Sequence, residues 1–458
     1  MHARKRWSRG GLLAARLIAG LGLALLAAAS QPTADAAPGQ TESSASPSPE
    51  ASSAVILLPP WSRARLPNWA TSVHILKGDQ PLRTYPSRDA ERRGSVARSV
   101  HLPLFGARRG RGCGSTWLHV GPRAWVCGDD VKISAGEPIT PGRPAFEATA
   151  DGLPYRYYFA GPDGSLAYAT LNEVDIGEPV MTMEKGFAVA IVEERTLARQ
   201  RYGRTNRDLW VPMRDFGAAR PFYFKGAELK AHKPGEPLPV AWVLANVARV
   251  YRKTTTGFSM TGKTHERFDR VPFHEETQRF GIAYTRIGED TWMRSKDLRH
   301  HRVAPPPSEE EIGYGARWID IELASQTLVA YEGETAVFTT LVSTGKGRTK
   351  GHPFETPKGV HRIWVKLLST TMDNLENDTA NRYWRIEDVP YVQFFKKGVG
   401  LHGAFWHRSF GRIRSHGCVN LAPLDARRLF WWTQPKMPAG WTASLPTPYD
   451  RGTIIRVR

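Results

Sequence analysis

A chain of 458 residues exceeds one ordinary hydrophobic core and predicts roughly two to four domains. Apolar and aromatic shares of 41% and 10% exclude a wholly disordered chain. A formal charge of +19 points to an anionic partner, or else to a generally basic surface with no dedicated ligand.

Residues 1–36 read as an export signal. Arg4, Lys5, Arg6 and Arg9 precede an apolar run over residues 17–29, and Ala34-Asp35-Ala36 offers a small-x-small cleavage site. Arg16 keeps the run below the ~20 apolar residues that a membrane span needs. Cleavage is therefore expected, with no transmembrane segment afterwards. Export removes the chain from nucleic acid, so anionic wall polymers are the charged partners in reach. Residues 37–60, rich in Ser, Ala and Pro, read as a disordered linker. Of three cysteines, Cys113 and Cys127 share one short segment and Cys418 stands alone. In an oxidising compartment the simplest arithmetic is a Cys113–Cys127 disulfide with Cys418 free.

A loose repeat follows. Trp125-Val126 precedes Asp130-Val131, Trp210-Val211 precedes Asp215-Phe216, and Trp292-Met293 precedes Asp297-Leu298. Short alternating segments, such as residues 188–192 and 242–244, punctuated by Gly and Pro, predict small β-barrels. The copy over residues 73–134 resembles a bacterial SH3-like domain, with Leu82-Arg83-Thr84-Tyr85-Pro86 as its opening and Trp117-Leu118-His119-Val120 as a late strand. The expected modules are residues 61–135, 136–220 and 221–303. Chance aromatic–acid pairs are the rival reading. Pro305-Pro306-Pro307 and Glu309-Glu310-Glu311 then mark a linker over residues 304–314.

From Trp318 the pattern sharpens. Ile319, Ile321 and Leu323 alternate with acids, Ser325-Gln326 and Glu332-Gly333 supply turns, and residues 327–331 and 337–342 continue an antiparallel meander. Residues 359–366 and 453–457 add strands. One helix is clear: Pro423 suits its first turn, and Ala422, Ala426, Leu429 and Phe430 share a face. Residues 315–458 are thus expected to form a mainly β domain with one clear helix.

The chemistry lies in Leu401-His402-Gly403-Ala404-Phe405-Trp406-His407 and Arg414-Ser415-His416-Gly417-Cys418-Val419-Asn420. A cysteine attacks as the thiolate, yet a free thiol is mostly protonated at neutral pH, so a histidine within reach must take the proton. His402, ending an apolar strand, and His416, two residues before Cys418, are the candidates. Gly417 allows close backbone approach, and the amides of Gly417 and Cys418 could hold an oxyanion.

This array resembles the signature of L,D-transpeptidases with a YkuD-like catalytic domain. The likeness extends through Trp318-Ile319-Asp320-Ile321, Val342-Ser343-Thr344-Gly345, Thr356-Pro357-Lys358-Gly359 and residues 422–432, roughly the last third of the chain. The resemblance implies that Cys418 attacks a peptidoglycan tetrapeptide stem, releases D-Ala and forms a thioester that an amine acceptor resolves. His402 matches the general base, and the Gly403 carbonyl the group that orients it. Ser415, His416, Gly417 and Asn420 match the acyl-site loop. Phe405, Trp406, Tyr391 and Phe394 match substrate-facing positions more loosely, with a core reading equally open. Asn420 stands where many members carry Arg, and residues 369–388 resemble a family-variable lid.

No metal or organic cofactor is implied. The expected partners are stem peptides, with anionic wall polymers or an envelope protein acceptor as further partners, in the periplasm or cell wall. Rival readings are a hydrolase of the same fold (a carboxypeptidase or amidase), a zinc site built from His402, His407, His416 and Cys418, and a wall-binding scaffold with an inert cysteine.

Overall fold

The structure, a computed structural model, describes residues 64–140, 148–229, 239–308, 316–347, 354–374 and 384–458. The expected signal and linker at residues 1–60, the Glu309–Glu311 end of the second linker and residues 375–383 of the expected lid lie outside them.

Residues 317–341 form the expected meander, with strands Arg317–Glu322, Thr327–Glu332 and Thr335–Leu341 paired antiparallel. The late strand Ile454–Val457 joins the first of these in parallel, and Gly359–Arg362 pairs beyond it. Both faces of Arg317–Glu322 are covered. Ile319 and Ile321 pack in the core, while Asp320, also fully buried, is held by His301, Arg456 and Arg458. A buried carboxylate persists only when paired in this way. On the far edge, Ala227–Glu228 pairs with Thr339 and Phe338, although it lies in the span expected for the third module. Phe222 and Phe224, packed with Phe268 and Phe410, tie that segment to the C-terminal region.

A second group of strands carries the candidate chemistry. Val365–Asp373 runs antiparallel to Arg385–Lys396, which pairs with Val399–Gly403. The short strand Val419–Leu421 then adds in parallel. The helix Pro423–Trp432 follows at once, and Ala426, Leu429 and Phe430 bury its inner face. Full burial of side chains such as Leu429 and Phe430 contributes roughly 1.5–3 kcal/mol each. In the helix's first turn, the Asp425 carboxylate accepts from the Gly226 N–H at 2.8 Å and from the Thr340 hydroxyl. At its other end the buried Lys366 amine donates to the carbonyls of Phe430 and Thr433. Those carbonyls lack helical partners and take the amine's N–H groups, while burial lowers the Lys366 pKa to about 7.

The three copies of the sequence repeat adopt one local structure. Each is a strand, a single 3₁₀ turn and a second strand: Ala124–Cys127, Gly128–Asp130 and Val131–Ser134; Trp210–Pro212, Met213–Asp215 and Phe216–Ala218; Trp292–Arg294, Ser295–Asp297 and Leu298–Arg299. Closed barrels were expected around them, but among the described residues no sheet closes on itself. Module strands pair outward instead. Arg92–Val96 pairs with Trp441–Ser444, and Ala188 pairs with Ile386. A six-residue helix, Leu171–Ile176, is opened by a Thr170–Glu173 capping box and lies outside the C-terminal region. Among the described residues no helix is long and apolar enough to cross a membrane.

Candidate active site

Four short segments build the site around Cys418. The parallel ladder sets Leu401 beside Val419, His402 beside Asn420 and Gly403 beside Leu421. Cys418 stands immediately before the strand Val419–Leu421, two residues ahead of Asn420.

The turn ahead of Cys418 is fixed from several sides. Gly417 has φ +122°, a conformation that suits glycine. The Ser415 hydroxyl accepts from the Gly417 N–H at 3.1 Å and donates to the Cys418 carbonyl. The Thr356 hydroxyl donates to the Gly417 carbonyl at 2.7 Å and accepts from the Gly345 N–H at 2.9 Å. Gln326 binds both the backbone and hydroxyl of Thr344, whose carbonyl in turn accepts from the Ser415 N–H. Gly417 was expected to offer its amide to an oxyanion. That N–H is taken by Ser415, which leaves the amide of Cys418 as the donor of the pair.

Cys418 is the free cysteine and is half-buried; Cys113 and Cys127 are joined. Its thiol donates to the Gly398 carbonyl at 3.7 Å. Burial pushes the thiol pKa up, opposed by the Gly400 backbone amide. His402 is 2% exposed, and its Nδ1–H donates to the Gly403 carbonyl at 3.2 Å. That bond leaves Nε2 unprotonated and able to accept. Burial drives the imidazole pKa down to about 4. The resting pair is therefore neutral thiol and neutral imidazole, and proton transfer must accompany attack.

His407 also falls to about 4, by burial first and then by the charge of Arg414. Its Nδ1 accepts from the Ser409 N–H at 3.1 Å, and its Nε2 lies 2.8 Å from the Asn420 amide. A neutral imidazole cannot accept at both nitrogens, so Asn420 presents its oxygen to an Nε2–H. The other amide atom of Asn420, buried and without a partner among the described residues, is then the NH₂.

His416 is exposed and lies between rings, 4.7 Å from Phe354 and 6.2 Å from Trp384. Trp406 stacks on the His402 imidazole at 5.6 Å. Phe394 is half-buried beside Trp364. The structure places Phe405 and Tyr391 in the core rather than at a substrate face. Phe405 stacks on Tyr157 at 4.0 Å, and Tyr391 is fully buried with its hydroxyl on the Gly152 carbonyl at 2.6 Å. Their partners come from the span read as the second module. Sequence reasoning did not assign site roles to Thr356, Gln326 or the Gly398 carbonyl. Only Thr356 carried a signal, as part of the Thr-Pro-Lys-Gly likeness.

The proposed zinc ligands do not gather. Among the described residues, the one set of three His, Cys, Asp or Glu ligand atoms within 4.8 Å of one another is Cys113, Cys127 and Asp129, and its two cysteines are joined.

Cys418 and His402 thus lie on neighbouring segments of a mainly β C-terminal region. Residues 316–444 match YkuD, the L,D-transpeptidase catalytic domain. Among solved structures, the chain is similar to an Enterococcus faecium L,D-transpeptidase at 24% identity, over 31% of this chain and 49% of that one, with a TM-score of 0.24. It is also similar to an L,D-transpeptidase from Stackebrandtia nassauensis at 28% identity, over 32% and 57%, with a TM-score of 0.22. An L,D-transpeptidase from Mycobacterium smegmatis matches at 16% identity, over 51% and 95%, with a TM-score of 0.24. The chain thus spans about half the length of the first of these relatives. No curated protein matches it.

Proposed function

We propose that this chain is an L,D-transpeptidase of the bacterial envelope that acts on peptidoglycan stem peptides through a Cys418 thioester. The observation that carries this reading is the His402–Asn420 strand pair. It sets an imidazole with Nδ1 engaged on the strand beside the one that the free thiol of Cys418 immediately precedes. In the proposed reaction His402 Nε2 takes the thiol proton as the sulfur attacks the carbonyl before the terminal D-Ala. In this reading the Cys418 N–H and the Asn420 NH₂ donate to the developing oxyanion. The proton passes from His402 to the departing D-Ala amine, leaving a thioester. An amine from a second stem or another acceptor then attacks, and the thiol is restored.

Within this reading Ser415, Gly417 and Thr356 shape the nucleophile turn, and Trp406, His416 and Phe394 border the substrate. The N-terminal strand–turn–strand units act as SH3-like modules, and the basic chain meets anionic wall polymers in the periplasm or wall. Water in place of the amine would give a hydrolase. The deciding experiment incubates the protein with purified tetrapeptide muropeptides and resolves the products by mass spectrometry. Acyl-enzyme and cross-linked product support transfer, tripeptide alone supports hydrolysis, and unmodified substrate and protein reject both.

A further inference from the structure

We infer that the span read as the second module is part of the candidate active site, with Tyr157 as a positioning residue that fixes the His402 imidazole through Phe405 and Trp406. The geometry is a closed circuit of contacts. The Tyr157 hydroxyl donates to the Asp388 carbonyl at 2.6 Å, on the strand Arg385–Lys396. Asp388 holds φ +51°, an uncommon conformation within a strand, and so turns the chain locally beside Tyr157. The Tyr157 ring stacks on Phe405 with centroids 4.0 Å apart and planes 29° from parallel. Phe159 adds a tilted contact to the same ring at 5.8 Å. Phe405 meets Trp406 edge-on at 5.2 Å, and Trp406 stacks on His402 at 5.6 Å. His402 lies on the strand Val399–Gly403, which pairs back onto Arg385–Lys396.

Each link restricts the next. Tyr157 and Phe405 are buried, so neither ring can swing without opening a void in a packed core. Trp406 packs between that core and the imidazole, and it helps exclude water from His402. The hydrogen bond to the Gly403 carbonyl alone leaves the imidazole free to tilt about that contact; a ring stacked on its face removes the freedom. Displacement of a catalytic group by about 1 Å can cost ~10²-fold in rate. The titratable groups nearest the His402 strand are Cys418, just ahead of the adjoining strand, and His407 beyond Trp406.

The inference rests on the proposed role of His402, and two readouts separate its failure from the failure of that role. The first is the rate of Cys418 acylation by a tetrapeptide stem, in full-length wild type, Tyr157→Leu and Tyr157→Phe. Tyr157→Leu should lower the saturating rate at least ~10-fold with little change in the half-saturating concentration. Tyr157→Phe, which keeps the ring, should restore most of it. The second readout is the His402 imidazole titration followed by NMR, which needs no substrate. Its midpoint should rise by at least ~10-fold in proton affinity in Tyr157→Leu, as water reaches the ring. If Tyr157→Leu does not fold, Phe405→Leu tests the next link by the same measurements. A folded leucine variant with wild-type rate and an unmoved His402 titration overturns the inference. Wild type that is never acylated rejects the proposed function, while the titration still reads the contact chain.

Discussion

His402 faces Asn420 across a parallel strand pair, with Cys418 two residues upstream at the turn that opens the second strand. The pairing joins the strand that carries the proposed base to the one that follows the proposed nucleophile, and their roles are separable by substitution. Cys418→Ser should give no acyl-enzyme with a tetrapeptide stem in intact-mass measurements. Retained acylation in that variant would remove Cys418 from the mechanism.

His402 and His416 make different predictions. His402 is buried with one nitrogen fixed, whereas His416 is exposed between Phe354 and Trp384. General-base assistance is worth ~10²–10⁴-fold. His402→Ala should lose acylation by about that factor while remaining folded, and His416→Ala should lose less. A normal His402 variant beside a dead, folded His416 variant would reverse the roles.

The pH dependence follows from the two neutral partners. With His402 near 4 and the Cys418 thiol raised by burial, both stay neutral between those limits. Wild-type acylation should therefore hold level from about pH 5.5 to 8 and fall toward pH 4 as the base protonates. In His402→Ala only the free thiolate can react, so the residual rate should climb ~10-fold per pH unit through neutrality. A level residual rate would mean that another base serves the thiol.

Much of this centre was legible in the sequence. The Cys418 and His402 segments are short, and the strands that hold them alternate plainly. Phe405 and Tyr391 were not legible as core, because an aromatic beside a catalytic motif has the same composition whether it meets substrate or protein. What buries them, Tyr157 and Gly152, lies more than two hundred residues away. The Trp–Asp repeat was read as marking small barrels, and each copy forms a strand, a 3₁₀ turn and a second strand instead. It carried no sign that the flanking strands pair outward, since register between distant strands leaves no local trace.

Asp425 yields a prediction about stability. Burial pushes its carboxyl up to about 7, against hydrogen bonds from Thr340 and Gly226. The folded state then holds a proton that the unfolded chain releases near pH 4, so this contribution is present in full below pH 4 and is lost as pH rises through 7. Wild-type unfolding free energy should carry a falling component from pH 4 to 7 that Asp425→Asn removes. Denaturant melts across that range check it; identical slopes in both proteins would reject it.

The Cys113–Cys127 link predicts one alkylatable thiol in protein recovered from an oxidising compartment. Denaturation without reductant should still expose one. Three thiols reacting under both conditions would contradict the pairing.

The strand Arg92–Val96 bears on how the chain comes together in time. Its Gly94 lies against Trp441 so closely that a Cβ there would fall 2.6 Å from the indole. The partner strand Trp441–Ser444 is synthesised some 350 residues later. Until then the earlier strand presents bare N–H and C=O groups along one edge, an open template for a wrong neighbour. Closing such a distant pair is among the slowest kinds of folding event. A nascent chain interrupted before residue 441 would leave that edge uncapped and open to pairing with another chain.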